Sequence, residues 1–295
     1  MLFLRQMKPI NKFIDVEKVI SEKNPALIKF LPRFIINYIK KKLHEDFINQ
    51  GIENNQESFE HDFNEATLNY MGANVTWSGL ENIPKHGGVI IVANHPLGGL
   101  DGLALIKAVS NVRLDTRFLV NDILLKLTNF KRLFVGVNKV GKTAAEALKV
   151  IDSTYTSDHV VLVFPAGLVS RKQNGVVKDL EWKKSFVSQA IKNKRQVVPV
   201  FIEGKNSNFF YNFSLWRKRL GIKANVEMFF LADEMVKQKS KTIHVHFGKA
   251  ISYEVFNKQF SHIEWAQLVK EYVYFMDGEN KKSFNDFINQ KYIQK

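Results

Sequence analysis

Residues 94–102 read Asn-His-Pro-Leu-Gly-Gly-Leu-Asp-Gly, directly after the apolar run Gly88–Ala93. A histidine at the end of a buried strand, followed by a Gly98-Gly99 turn that folds the chain back, brings Asp101 within reach of the His95 ring. Such a pair is a general base with an orienter. The carboxylate holds one ring nitrogen protonated, the other nitrogen takes a hydroxyl proton, and the imidazolium that forms sits beside a negative charge. A plainer arrangement fits the same residues: His95 as a loop histidine, and Asp101 as the cap of a helix beginning near Leu103.

A second block, Val163-Phe-Pro-Ala-Gly-Leu-Val-Ser-Arg171, also follows a strand-like run. A third, Val197-Val-Pro-Val200, is followed by Phe-Ile-Glu-Gly-Lys-Asn-Ser207. Glycines 98, 99 and 167 let backbone amides approach a substrate closely. The chain has no cysteine, which excludes a thiol nucleophile, a disulfide framework and Cys-ligated metal. His244 and His246 share one strand face with no third ligand in view, so neither a metal nor a cofactor is expected.

Taken together, the blocks resemble the glycerolipid acyltransferase superfamily, whose best-known members acylate glycerol 3-phosphate or 1-acylglycerol 3-phosphate. In that family four residues separate the first-motif His and Asp; here there are five. The string 94–102 is similar to the hemolysin-like branch, which includes O-acyltransferases of ornithine and glycine lipids. Phe164, Pro165, Gly167 and Ser170 match the family's Phe-Pro-Glu-Gly-Thr-Arg-Ser motif, with Ala166 where the family has Glu and Val169 where it has Arg. The missing guanidinium weakens the case for a phosphomonoester acceptor, since Arg is the side chain that grips phosphate bidentately. Lys139, Lys142, Arg171 and Lys172 remain as point charges for an anion, or as a solvated basic face. Pro199 resembles the last family motif, associated with the acyl-binding region, and a proline inside a strand implies an edge strand or a bulge.

The resemblance covers roughly residues 75–210. It implies direct acyl transfer from an acyl carrier protein or coenzyme A thioester to the hydroxyl of a lyso-lipid, with His95 and Asp101 catalytic. Asn94, Gly98, Gly99, Lys139, Phe164, Pro165, Ala166, Gly167, Ser170, Arg171, Pro199 and Asn206 are then the substrate-binding candidates. The string 94–102 and the loss of two family phosphate arginines, one at Val169 and one after Leu133–Val137 where Asn138 and Lys139 stand, favour a lyso-amino-acid lipid of the glycine or ornithine class. A 1-acylglycerol-3-phosphate acyltransferase is the competing expectation.

Positioning these residues requires strands that end together. Short β-rich runs at Gly88–Ala93, Arg117–Val120, Leu133–Val137, Val160–Phe164, Val197–Ile202, Val226–Phe230 and Ile243–Phe247 alternate with helical patterns at Leu103–Ser110, Lys142–Thr154 and Trp182–Lys192. This alternation predicts an α/β fold: a mostly parallel twisted sheet flanked by helices, spanning 75–295. Residues 1–74 form an N-terminal helical segment. There Ile35, Ile39, Leu43 and Phe47 make one stripe beside Arg33 and Lys40–Lys42, suited either to packing on the main domain or to lying on a membrane. A Ser-x-x-Glu box at Ser261 opens a helix with Trp265, Val269, Tyr272 and Met276 on one face.

The chain has 295 residues, 43 Lys plus Arg against 29 Asp plus Glu, and a net charge of +14. That excess asks for a negative partner. Nucleic acid is not expected, because the lysines are dispersed and no helix-turn-helix, RNA-recognition or zinc motif is present. An anionic membrane surface and an acidic carrier protein remain. The apolar stretch 87–105 contains Asn94, His95 and Asp101, which are expensive in lipid. A peripheral protein on the cytoplasmic face of the membrane, without a transmembrane helix, is therefore the expectation.

Overall fold

Val89–Ala93 carries no polar side chain, and in the computed structural model all five residues are buried in the middle of a sheet. A fully apolar strand of this kind is covered on both faces, as central parallel strands are. The structure describes residues 12–23, 25–137, 144–223, 225–276 and 282–293.

The chain divides into two compact units, Met1–Glu57 and Ser58–Lys295. The first holds α1 (Val16–Lys23), α2 (Pro25–Phe30), α3 (Arg33–Lys42) and α4 (Glu45–Asn54). Buried Glu45 ties α1 to α4, accepting from the Val16 amide at 3.0 Å and pairing with Lys12 at 2.9 Å. The stripe from Ile35 to Phe47 was expected on one helix, but left-handed His44 (φ 49°) divides it. The charges explain the break: Lys40–Lys42 closes α3 and Glu45-Asp46 opens α4, each matching the dipole of its own helix end. On α3 the buried residue is Ile36, while Phe34 and Tyr38 are exposed.

The second unit begins with α5 (Glu60–Met71) and β1 (Asn74–Ser78), so a helix that the sequence texture placed before the boundary at 74 belongs with the sheet. The chain continues through β2 (Val89–Ala93), α6 (Gly99–Ser110), β3 (Thr116–Val120), β4 (Phe134–Gly136), α7 (Ala144–Thr156) and β5 (Val160–Val163). A small antiparallel hairpin, β6 (Arg171–Gln173) and β7 (Val176–Lys178), precedes α8 (Ser185–Asn193) and β8 (Gln196–Ile202). Then come α9 (Asn208–Arg219), α10 (Leu231–Val236), β9 (Thr242–Phe247), α11 (His262–Phe275) and α12 (Phe284–Ile293).

The sheet order is β1-β9-β8-β2-β5-β3-β4. Strands β8, β2, β5, β3 and β4 run parallel, while β9 is antiparallel to β8 and carries β1 in its own direction. From β2 the chain crosses through α6 to β3, beyond β5; from β5 it returns through α8 to β8, on the far side of β2. Neighbouring strands whose crossovers leave in opposite directions open a crevice beyond their carboxyl ends. Ile90, Val92, Val161 and Val197 pack with Trp182, Phe186, Trp265, Val269 and Tyr272 of the α8 and α11 layer. Helix α6, packed with α5, β1 and β9, buries Leu100, Ala104, Leu105 and Val109 outside that cluster. The expected capping box holds, with the Ser261 amide donating to Glu264 at 2.7 Å.

One strand expectation changes, and of the two alternatives for Pro199 the bulge is the one found. Val226–Phe230 is a 3-10 turn. Its second residue, Glu227, is the buried partner of Arg171 and Arg217, and the turn delivers that carboxylate inward. Pro199 lies on an interior strand, between β9 and β2. It sits at a bulge: Val197 pairs with Ile251 and Val200 with Phe247, so three residues of the returning chain oppose Val198 and Pro199. The Pro199 carbonyl accepts from Gly248 at 2.8 Å. In a strand the amide and carbonyl of one residue face the same side, so the absent N–H falls where the ladder is already interrupted.

Candidate active site

The carboxyl ends of β2, β5 and β8 meet at one sheet edge; the first two sequence blocks follow the ends of β2 and β5, while the third lies within β8 and its run 203–207 follows that strand's end. After β2 the chain turns at Gly98, whose φ of 96° suits glycine, and enters α6 at Gly99. The helix therefore starts four residues before Leu103, and Asp101 sits in its first turn. One Asp101 oxygen accepts from the His95 Nδ1 at 2.8 Å, from the Leu97 amide at 2.8 Å and from the Gly98 amide at 2.9 Å. One Asp101 carboxylate thus caps the helix and holds the His95 ring at once.

Asp101 is fully buried. That burial raises its carboxyl above the ordinary aspartate range, against the pull of His95 and the two amides. A carboxylate oxygen receiving two backbone N–H groups can only accept from the ring, so Nδ1 carries the proton and Nε2 is the basic nitrogen. The His95 side chain keeps 17% of its surface exposed, and the Phe164 ring stacks on it at 4.1 Å between centroids and 14° between planes. Phe164 thus clamps the imidazole from the β5 end while Asp101 fixes its edge.

Ser170 and His95 are joined through their backbones, the Ser170 amide donating to the His95 carbonyl at 2.7 Å. The Ser170 hydroxyl donates to Asp179 at 2.6 Å. Asp179 also accepts from the His95 amide at 3.2 Å and from the Trp182 indole at 2.8 Å. It is fully buried and was not anticipated. No spacing marks it, because the β6–β7 hairpin that returns it to Ser170 is only three residues per strand.

The remaining candidates divide. Asn94 clips β2 to β8, donating to the Ile202 carbonyl at 2.9 Å and accepting from its amide at 2.7 Å. Asn206 donates to the Pro96 carbonyl at 3.1 Å, leaving its own side-chain oxygen buried without a partner. Both hold the loop 94–102 in place. Pro165 and Ala166 are buried in the turn closed by the Gly167 amide on the Phe164 carbonyl at 3.0 Å. The Gly98 and Gly167 amides are thus committed within the protein, whereas Gly99 is exposed. Arg171 is withdrawn from the surface: it pairs with Glu227 at 3.0 Å and lies over the Phe210 ring at 5.1 Å. Lys139 and Lys142 lie outside the described residues. A cation that went unnoticed among many lysines is Lys183, exposed beside the Gly167 turn and donating its amide to the Pro165 carbonyl at 3.1 Å. His244 and His246 bond to the hydroxyls of Thr76 and Ser78 on β1.

Gly204, after β8, has φ +140°, and an added Cβ would meet Leu97 side-chain atoms at 2.9 Å. Gly204→Ala is expected to lower stability by about 1–3 kcal/mol, from backbone strain and displacement of Leu97. A shift of the denaturant midpoint at unchanged m-value checks this; an unshifted midpoint contradicts it.

Residues 18–283 match the model of a family described as Acyltransferase. Over 262 residues the chain is 44% identical to the lyso-glycine lipid O-acyltransferase of Bacteroides thetaiotaomicron, covering 88% of this chain and 96% of that protein. It is 42% identical over 262 residues to the enzyme of the same name from Phocaeicola vulgatus, covering 88% and 94%. Among solved structures it is similar to the 1-acyl-sn-glycerophosphate acyltransferase PlsC from Thermotoga maritima, with 18% identity, 89% and 93% coverage and a TM-score of 0.46.

Proposed function

Because the chain belongs to the acyltransferase family, we propose that it transfers a fatty acyl group from an acyl thioester to the hydroxyl of a lyso-glycine lipid. The observation that carries the chemistry is the 2.8 Å bond between His95 and buried Asp101, which leaves Nε2 as the base. As the acceptor oxygen bonds to the thioester carbonyl carbon, its proton passes to Nε2. The tetrahedral intermediate then collapses, the carbon–sulfur bond breaks, and the thiolate takes the proton back from the imidazolium. The carbon skeleton of the donor need not be held covalently by the protein, and no resident cofactor enters any step. An acyl carrier protein or coenzyme A supplies the thioester.

The acceptor assignment has two supports. The two relatives that are 44% and 42% identical to this chain over 262 residues are named for lyso-glycine lipid. The second block offers buried apolar Ala166 and Val169 at the two diverged motif positions, and Arg171 is held by Glu227. A phosphate dianion thus lacks a guanidinium fork there, while a singly charged head group can be met by a point charge such as Lys183. The protein acts peripherally at the cytoplasmic membrane face; among the described residues no helix is long and apolar enough to cross a bilayer.

Purified protein given acyl thioester and one acceptor at a time is expected to turn over lyso-glycine lipid at least about tenfold faster than lysophosphatidate, the worth of one mismatched polar contact. Faster acylation of lysophosphatidate overturns the acceptor assignment and leaves the acyl-transfer chemistry standing.

A further inference from the structure

Helix α9 has two unlike faces. Phe210, Tyr211, Ser214 and Arg217 are buried, and beneath them Glu227 joins Arg217 to Arg171. On the opposite side Phe209, Phe213, Trp216 and Leu220 recur at four-, three- and four-residue intervals, which is one line along a helix. Phe209, Trp216 and Leu220 are 51%, 56% and 55% exposed, and Phe229 on the turn Val226–Phe230 is 57% exposed. Phe230 meets Phe209 and Phe213 edge-on at 5.1 and 5.2 Å. The aromatic line is therefore built on a rigid, ion-paired base, and a contiguous apolar patch of this kind marks an interaction surface.

Its charge names the partner. Lys218, Arg219 and Lys223 are exposed on the same segment, and exposed aromatic rings bordered by basic groups suit the boundary between anionic head groups and acyl chains. Both ends of the segment are fastened to the catalytic loop. Ser207, the N-cap of α9, follows Asn206, which holds the Pro96 carbonyl. At the other end Leu231 and Met235 of α10 lie against Gly98 and Gly99.

We infer that α9 and the turn Val226–Phe230 form a docking surface for an anionic lipid bilayer, seating the His95 loop where a membrane-resident acceptor enters. This rests on the lipid acceptor proposed above. The test uses the full chain with vesicles of phosphatidylcholine mixed with phosphatidylglycerol, some carrying brominated acyl chains that quench tryptophan. Quenching of the intact protein is expected to disappear in Trp216→Phe, a substitution that keeps an aromatic ring on the exposed line. Phe209→Ser/Phe229→Ser is expected to weaken vesicle partition about tenfold or more, and Lys218→Ser/Arg219→Ser to erase the preference for phosphatidylglycerol over phosphatidylcholine alone. Quenching that persists undiminished in Trp216→Phe overturns the inference even if the double variants misfold. So does unchanged partition of the Phe variant with reduced turnover of a soluble carrier-protein thioester, which assigns the face to the carrier. Vesicle binding through Trp216 in a protein that acylates no lyso-lipid retains the docking surface and removes the proposed function instead.

Discussion

His95→Ala is expected to lower kcat by about two to four orders of magnitude, the contribution of a positioned general base. Folding should survive, because the ring is partly exposed and its loss removes one stacking contact, on Phe164, and one hydrogen bond. Asp101→Asn is expected to lose activity with it. The amide oxygen can still cap α6, but the neutral group no longer stabilises the imidazolium. In the double variant the losses should not add, since each residue acts only through the other. Acceptor-saturated turnover of the two single variants and the double variant is the measurement, and normal turnover by either single variant sinks the catalytic assignment. The pH dependence of stability gives an independent check. Burial raises the Asp101 carboxyl in the folded state, so the folded chain binds this proton more tightly than the unfolded chain. Its stabilising contribution is present below the ordinary aspartate range and is lost as pH rises through the raised value. Asp101→Asn should remove that slope, seen as a flatter unfolding midpoint against pH.

The parts of the site that were legible in the sequence are those built locally. His95 and Asp101 are six residues apart on one turn, and the turn's glycine and the helix cap are written in the same nine residues. The central strands were equally legible, because Val89–Ala93 and Val160–Val163 are apolar throughout. What escaped was set by distant partners. Asn74–Ser78 is a strand only because β9 lies beside it, its Thr76 and Ser78 hydroxyls meeting His244 and His246. Val226–Phe230 has strand composition, yet Glu227 is drawn to Arg171 across 56 positions. The same ion pair removed Arg171 from the surface, where the motif alone had placed it for substrate. Charge pairing across the fold thus overrode local propensity at 226–230 and drew Arg171 inward.

Asp179 is the residue whose importance only the fold exposes, and Asp179→Ala is expected to destabilise the protein by about 2–5 kcal/mol. The carboxylate accepts from the Ser170 hydroxyl, the Trp182 indole and the His95 amide. Trp182 is buried, so its indole N–H would face no replacement acceptor, while the buried Ser170 hydroxyl would keep only the His95 carbonyl at 3.3 Å. Two of the three ties also position His95, the proposed base. The His95 amide is held directly, and Ser170, held by Asp179, fixes the His95 carbonyl through its own amide. Loss of Asp179 should therefore let the β2 and β5 ends drift apart, carrying His95 away from Phe164. A displacement near 1 Å at a reacting group is worth about a hundredfold in rate. Measured at a temperature where the variant is fully folded, kcat should fall while KM stays near its original value, because Asp179 is fully buried beneath Ser170 and the His95 backbone. Asp179→Asn should recover part of both losses: its oxygen can serve Ser170 and His95, but its NH2 confronts the Trp182 donor. A folded Asp179→Ala protein with unchanged kcat would reduce the residue to a purely structural tie. Asn behaving no better than Ala would place its value in the charge rather than in the geometry of its acceptors.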